Sequence, residues 1–311
     1  MKVEPTGKLL KDFQNWRNSF FNYCDSKQLS LNTKRNYEKA LEQFEEFLRG
    51  YDDEISFKQI NKPLLELYLV YLQKRYSPST ISVYFTILKS FFLYISEENE
   101  DQQDFMRMFR KLRIKKHKKI PPSLTREEVD RLIEYTASMA RADKNRIHVR
   151  DALAIKLLSL TGMRASSLLN LKFKDFTLRK YNGKDIYEIL IVQKGNKENR
   201  VYVEAGKIKW EIDALKSYSK EKNGYVFLSS TGKLLNRINL YHRIAYLFDK
   251  IGIKKRGVHI FRHTFVKLKR EEGVDLSIIK TLLGHSSVTT TINIYGAVRE
   301  DEKIKASLDF S

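Results

Sequence analysis

Leu283-Gly284-His285-Ser286-Ser287-Val288-Thr289-Thr290-Thr291-Ile292-Asn293-Ile294-Tyr295 sets a phenol ten residues after an imidazole. Leu276, Ile278, Ile279, Leu282 and Leu283 fall at helical spacing just before it, so Gly284 can end one helix and Ser286 or Ser287 can cap the next. Tyr295 then lies near the far end of that second helix. A tyrosine beside Ile292 and Ile294 is more often a core residue than a nucleophile. Its reading therefore depends on what stands upstream.

Three upstream clusters carry polar chemistry. The apolar run from Ala152 to Leu160 predicts a helix that Gly162 ends, which puts Arg164 of Thr161-Gly162-Met163-Arg164 at the start of the next helix, with Leu168, Leu169 and Leu171 inward. A guanidinium beside free helix N-terminal amides can grip two phosphate oxygens, although an ordinary surface arginine has the same local signature. Between Asp185 and Val203, Ile186 to Val192 and Arg200 to Val203 flank a turn around Gly195-Asn196, a β-hairpin signal. Lys194, at the end of the first strand, can protonate a departing oxygen if neighbouring positive charge lowers its pKa; Lys197 competes for that role, and solvation is the ordinary state of a hairpin lysine. His259, Arg262 and His263 follow Gly257 at i, i+3 and i+4 and share one helix face.

Working outward, the 311 residues predict two compact units, and 42% hydrophobic residues with 18 Phe and 17 Tyr supply sizeable cores. The formal charge is +20, unevenly placed: residues 1–110 hold 16 Lys+Arg against 16 Asp+Glu, leaving 42 against 22 for the remainder. Such an excess favours a polyanion, because each neutralised phosphate releases counterions. A membrane surface is the competing anion; Leu64 to Leu72 is too short for a span and is broken by Glu66, and the start lacks the apolar core of a signal peptide. The single Cys24 excludes an internal disulfide and a cysteine-rich zinc site, and reads as a half-buried helix residue. These features fit an intracellular protein.

The first segment reads as helices. Leu10, Phe13, Trp16, Phe20 and Phe21 give one apolar face; Tyr37, Ala40, Leu41, Phe44 and Leu48 give a second, capped by Ser30 or Asn32 and stopped by Gly50. A third helix is predicted over about 62–74, a fourth after Ser77-Pro78, and a short one near 103–112. This is a small bundle, either plain structural helices or a clamp whose contacts would be Asn32, Lys34, Arg35, Ser79, Thr80, Ser82 and Lys89. Six Lys or Arg between Lys111 and Lys119, then Pro121-Pro122, read as an exposed connector: a solvated linker or a strap along a phosphate backbone. Ser123 to Glu128 resembles a capped helix start. At the far end Ile304, Leu308 and Phe310 form an apolar set that folds back on its own domain or docks elsewhere.

Taken together and in order, these motifs resemble the tyrosine recombinases, or λ-integrase family: an arginine in Thr-Gly-x-Arg, a hairpin lysine, His-x-x-Arg-His, Leu-Gly-His, and a tyrosine nine or ten residues later. Arg164, Lys194, His259, Arg262, His285 and Tyr295 match one by one. The resemblance implies a mainly α fold with a small antiparallel β-sheet, arranged as a two-domain DNA clamp. Its parts would be a SAM-like core-binding domain (1–110), a basic linker (111–122) and a catalytic domain with a C-terminal tail (123–311). It implies site-specific recombination through a 3′-phosphotyrosyl intermediate and a Holliday junction: Tyr295 as nucleophile, Arg164 and Arg262 on the non-bridging oxygens, Lys194 as general acid, His259 as acid/base and His285 as donor to the phosphate. No cofactor is needed, since the covalent link conserves the phosphodiester's energy.

The implied partners are double-stranded DNA with short inverted-repeat core sites and three further copies in a homotetramer, with the tail docking in trans. The implied location is the cytoplasm, at the nucleoid. With no extra small domain before Leu9, a simple two-domain enzyme is expected, either an Xer-type resolvase or a mobile-element integrase. A type IB topoisomerase and a non-catalytic DNA-binding relative are the alternatives; the compact helical first domain and the Leu-Gly-His spacing favour recombination. One position departs from the family: Ser167 stands where an acidic residue usually supports the active-site histidine.

Overall fold

A computed structural model of the chain describes residues 3–51, 55–98, 104–110, 112, 114, 121–192, 198–219, 221 and 223–284. The chain divides into two compact units, Met1–Lys119 and Ile120–Ser311. Most of the predicted linker, and the whole tail, lie outside the described residues.

The first unit holds helices α1 (Leu9–Ser26), α2 (Leu31–Leu48), α3 (Lys62–Gln73) and α4 (Pro78–Glu98). Ser30 caps α2 by accepting from the Thr33 amide, and Asn61 caps α3 by accepting from Leu64. Gly50 does not stop α2 outright: the chain tightens into a 3-10 turn over Arg49–Tyr51. The core is aromatic, with Phe13 edge-on to Phe44 and Phe91 at 5.8 and 5.4 Å between ring centroids. Buried Glu45 of α2 pairs with Arg17 and accepts from Gln14, both on α1. The short helix expected near 103–112 is a 3-10 helix, Phe105–Phe109: Asp104 caps it, and its two buried anchors, Phe105 and Met108, are three residues apart.

Leu64 to Leu72 was the wrong stretch on which to judge membrane spans. By length and composition α4 reaches the threshold for one. Its inward face, Ile81, Phe85, Leu88, Phe91, Phe92 and Ile95, is nevertheless buried in the unit's own core. Its outer face carries Thr86 and Ser90, whose hydroxyls donate to carbonyls one turn back.

In the second unit α5 (Arg126–Asp143) starts at a capping box in which Thr125 and Glu128 satisfy each other's amides. Helix α6 (Arg146–Thr161) is buried on nearly all sides and forms the centre. Around it lie α7 (Ala165–Leu169), strands β1 (Phe176–Tyr181), β2 (Lys184–Val192) and β3 (Glu198–Glu204), then α8 (Ala205–Tyr218), α9 (Arg237–Lys250), α10 (His259–Glu271) and α11 (Leu276–Leu283). The sheet is antiparallel in the order β1-β2-β3, with Tyr187, Ile189 and Ile191 alternating inward along β2. Mainly α with a small antiparallel sheet is thus the observed architecture.

The sequence reading found β2 and β3 but missed β1. Asn182 and Gly183 join it to β2 with φ of +47° and +76°, the left-handed pair that a two-residue hairpin turn requires.

Candidate active site

Helix α6 ends where Gly162 turns left-handed, φ +61°. A Cβ at that position would lie 2.8 Å from the Phe265 ring and 2.9 Å from Leu283, so glycine lets the end of α6 sit directly against α10 and α11. Two residues on, Arg164 occupies the N-cap position of α7 and is half-buried; removal from water lowers its pKa.

Arg262 lies one turn into α10 and is only 6% exposed. It donates from Nη1 to the Gly162 carbonyl at 2.9 Å and from Nη2 to the Leu283 carbonyl at 3.1 Å. These acceptors are the C-terminal ends of α6 and α11, where carbonyls lack intrahelical partners and the helix dipoles favour a cation. A single guanidinium therefore joins Thr-Gly-x-Arg, His-x-x-Arg and Leu-Gly-His, three motifs more than a hundred residues apart at their extremes.

His259 opens α10 and is exposed, with His263 one turn further on at 6.2 Å between ring centroids. The protein packed around His259 still lowers its pKa below the ordinary 6.5; desolvation contributes most, then the charges of Arg262, Arg237 and Arg164. The same holds for His263, through desolvation, His259 and Arg262. Both imidazoles are thus neutral at pH 7, a state in which a ring nitrogen can accept a proton.

Ser167 is buried, and its hydroxyl donates to the carbonyl of Val192 at 3.2 Å. Val192 is the last residue of β2, two positions before Lys194 in sequence. Its role is thus to tie the helix that follows Arg164 to the strand leading to that lysine. Asn199, which the sequence reading passed over, anchors the other side: its Nδ2 donates to the Leu282 carbonyl on α11 at 3.3 Å. Its only sequence signal was a polar amide in an otherwise strand-forming run. Thr264 was also missed; its buried hydroxyl accepts from the Leu124 amide at 2.8 Å and donates to the Ile260 carbonyl at 2.7 Å, fixing α10 to the segment before α5.

Of the six residues matched by sequence, the structure brings Arg164, His259 and Arg262 together. Lys194, His285 and Tyr295, with the competitor Lys197, lie outside the described residues. Among the described residues no three His, Cys, Asp or Glu side chains gather as metal ligands.

Comparison with known proteins agrees with this geometry. The sequence pattern of the phage integrase family matches residues 122–302, and that of the phage integrase SAM-like domain matches residues 10–98. Tyrosine recombinase XerH of Helicobacter pylori is 30% identical over 251 residues, 76% of this chain and 67% of that protein. Tyrosine recombinase XerD of Shewanella oneidensis is 27% identical over 276 residues, 86% of each. The crystal structure of XerH site-specific recombinase bound to difH substrate, a pre-cleavage complex, shares the fold with a TM-score of 0.81 at 23% identity, covering 99% of both chains.

Proposed function

The chain belongs to the phage integrase family and is a site-specific tyrosine recombinase acting on DNA; on that premise we propose that Tyr295 attacks a DNA phosphate in line, leaving a 3′-phosphotyrosine and a free 5′-hydroxyl. The P–O5′ bond breaks as the Tyr295 Oη–P bond forms, and Lys194 delivers the proton to the departing 5′ oxygen. Arg164 and Arg262 neutralise the charge that builds on the non-bridging oxygens, usually the largest contribution in such transfers. His259, neutral at pH 7, takes the tyrosine proton, and His285 donates a hydrogen bond to the phosphate. Reversal of the same step by another strand's 5′-hydroxyl rejoins the DNA through a Holliday junction, and the phosphotyrosine conserves the bond energy throughout.

The observation that carries this reading is the buried Arg262, whose two carbonyl bonds bind the ends of α6 and α11 to α10. That contact holds the guanidinium one helical turn from His259 and ties down the end of α11, whose Leu283 precedes His285 by two positions in sequence. The domain limits follow the sequence reading: core-binding helices over 1–110, a basic linker over 111–122 and the catalytic part over 123–311. Four copies act on a pair of short inverted-repeat core sites, coupled by their C-terminal tails, in the cytoplasm at the nucleoid.

Tyr295→Phe tests the chemistry on nicked fragments from a random DNA library. Wild-type protein is expected to yield covalent adducts whose mapped ends define the target, and the variant to bind the recovered fragments without forming any. Adducts from Tyr295→Phe would overturn the assignment.

A further inference from the structure

One peptide group links Arg262 to Arg164. Its carbonyl belongs to Gly162 and accepts from Arg262 Nη1 at 2.9 Å. Its amide belongs to Met163, which is 3% exposed, and donates to the Thr161 hydroxyl at 3.2 Å. Arg164 is the next residue in the chain.

The Met163 amide needs that hydroxyl. The Gly162 amide donates to the Leu158 carbonyl at 3.1 Å, the single bond of a left-handed helix cap, and the amide after it has no backbone acceptor among the described residues. A buried donor left unpaired is costly. Thr161, the last residue of α6 and itself buried, meets the need. Its hydroxyl donates to the Leu157 carbonyl one turn back at 2.7 Å, which leaves a lone pair for the Met163 amide. Because the peptide is planar, its two polar ends move together. Rotation that freed the amide from Thr161 would swing the carbonyl off Arg262 and shift the entry to α7, where Arg164 holds the extended N-cap position, ψ 148°.

We infer that Thr161 is a positioning residue for the transfer: through the Gly162–Met163 peptide it registers the Arg164 and Arg262 guanidinia against each other. The assignment rests on the cleavage mechanism proposed above, in which both arginines meet one phosphate.

The test uses the full-length protein, wild type, Thr161→Val and Thr161→Ser, with nicked fragments recovered from the random DNA library. Valine removes the hydroxyl and serine keeps it. Single-turnover cleavage is expected to slow about tenfold in Thr161→Val at unchanged duplex affinity, and to return to within about twofold of wild type in Thr161→Ser. In the DNA-free protein, the guanidinium NMR resonances of Arg164 and Arg262 are expected to shift in Thr161→Val and to stay in place in Thr161→Ser. A Thr161→Val protein as fast as wild type, or one whose two guanidinium resonances do not move, would overturn the inference. So would a Thr161→Ser protein tenfold slower than wild type, since it keeps the hydroxyl. If wild-type protein formed no adduct in the Tyr295 experiment, the cleavage mechanism would fall, while the resonances would still decide whether Thr161 registers the two arginines.

Discussion

Gly162 shows how much one position can carry. It ends α6 with a left-handed backbone, leaves room for Phe265 and Leu283, and offers the carbonyl that Arg262 holds. Gly162→Ala combines a left-handed alanine with overpacking, together about 2–5 kcal/mol. Urea unfolding is expected to show that loss, with cleavage reduced in the same variant; a cost below about 1 kcal/mol would mean the helices part easily. The sequence placed the glycine and the arginine correctly, because a helix end has a local signature. The bond that Ser167 makes was not legible, because the Val192 carbonyl that it serves is 25 residues away in sequence.

The histidines supply a second prediction at this scale. Both have folded pKa values below their unfolded 6.5. The folded state therefore binds fewer protons than the unfolded one near that pH. Their contribution to stability is complete above about 6.5 and is lost as pH falls through the lower folded values. Exposure of His259 keeps its share small. The acid-side loss of stability between pH 7 and 5 should be shallower in His263→Gln than in wild type, measured by denaturant midpoints; identical profiles would contradict the assignment.

At the scale of elements, the two strands that flank Lys194 in sequence are each held, β2 to α7 through Ser167 and β3 to α11 through Asn199. Asn199→Ala removes one tie worth about 1 kcal/mol, or about fivefold in rate if the lysine must be positioned for cleavage. Single-turnover cleavage is expected to slow by that factor while duplex affinity stays constant; an unchanged rate would show that the turn positions itself. Helix periodicity was legible in α1, α2 and α4, which each bury one face. Strand β1 was harder: five of its six residues are exposed, so it lacks apolar alternation, and only Asn182-Gly183 betrayed it.

For the whole molecule, charge and topology act together. The first 110 residues are balanced, 16 cations to 16 anions, and the entire +20 belongs to the remainder, which also holds every matched catalytic residue. Affinity for DNA is therefore expected to fall steeply with salt through the second unit, the half in which cleavage would occur. The division into two units was legible from length and from the basic connector. The Arg262 clasp was not, because Gly162 and Leu283 become neighbours only when α6, α10 and α11 pack.

On the proposed mechanism Tyr295 is the nucleophile that attacks the DNA phosphate. The most direct measurement is mass spectrometry of the covalent protein–DNA adduct after protease and nuclease digestion. A nucleotide joined through its 3′ phosphate to the peptide containing Tyr295 is the predicted result; attachment to any other residue, or through a 5′ phosphate, would contradict it.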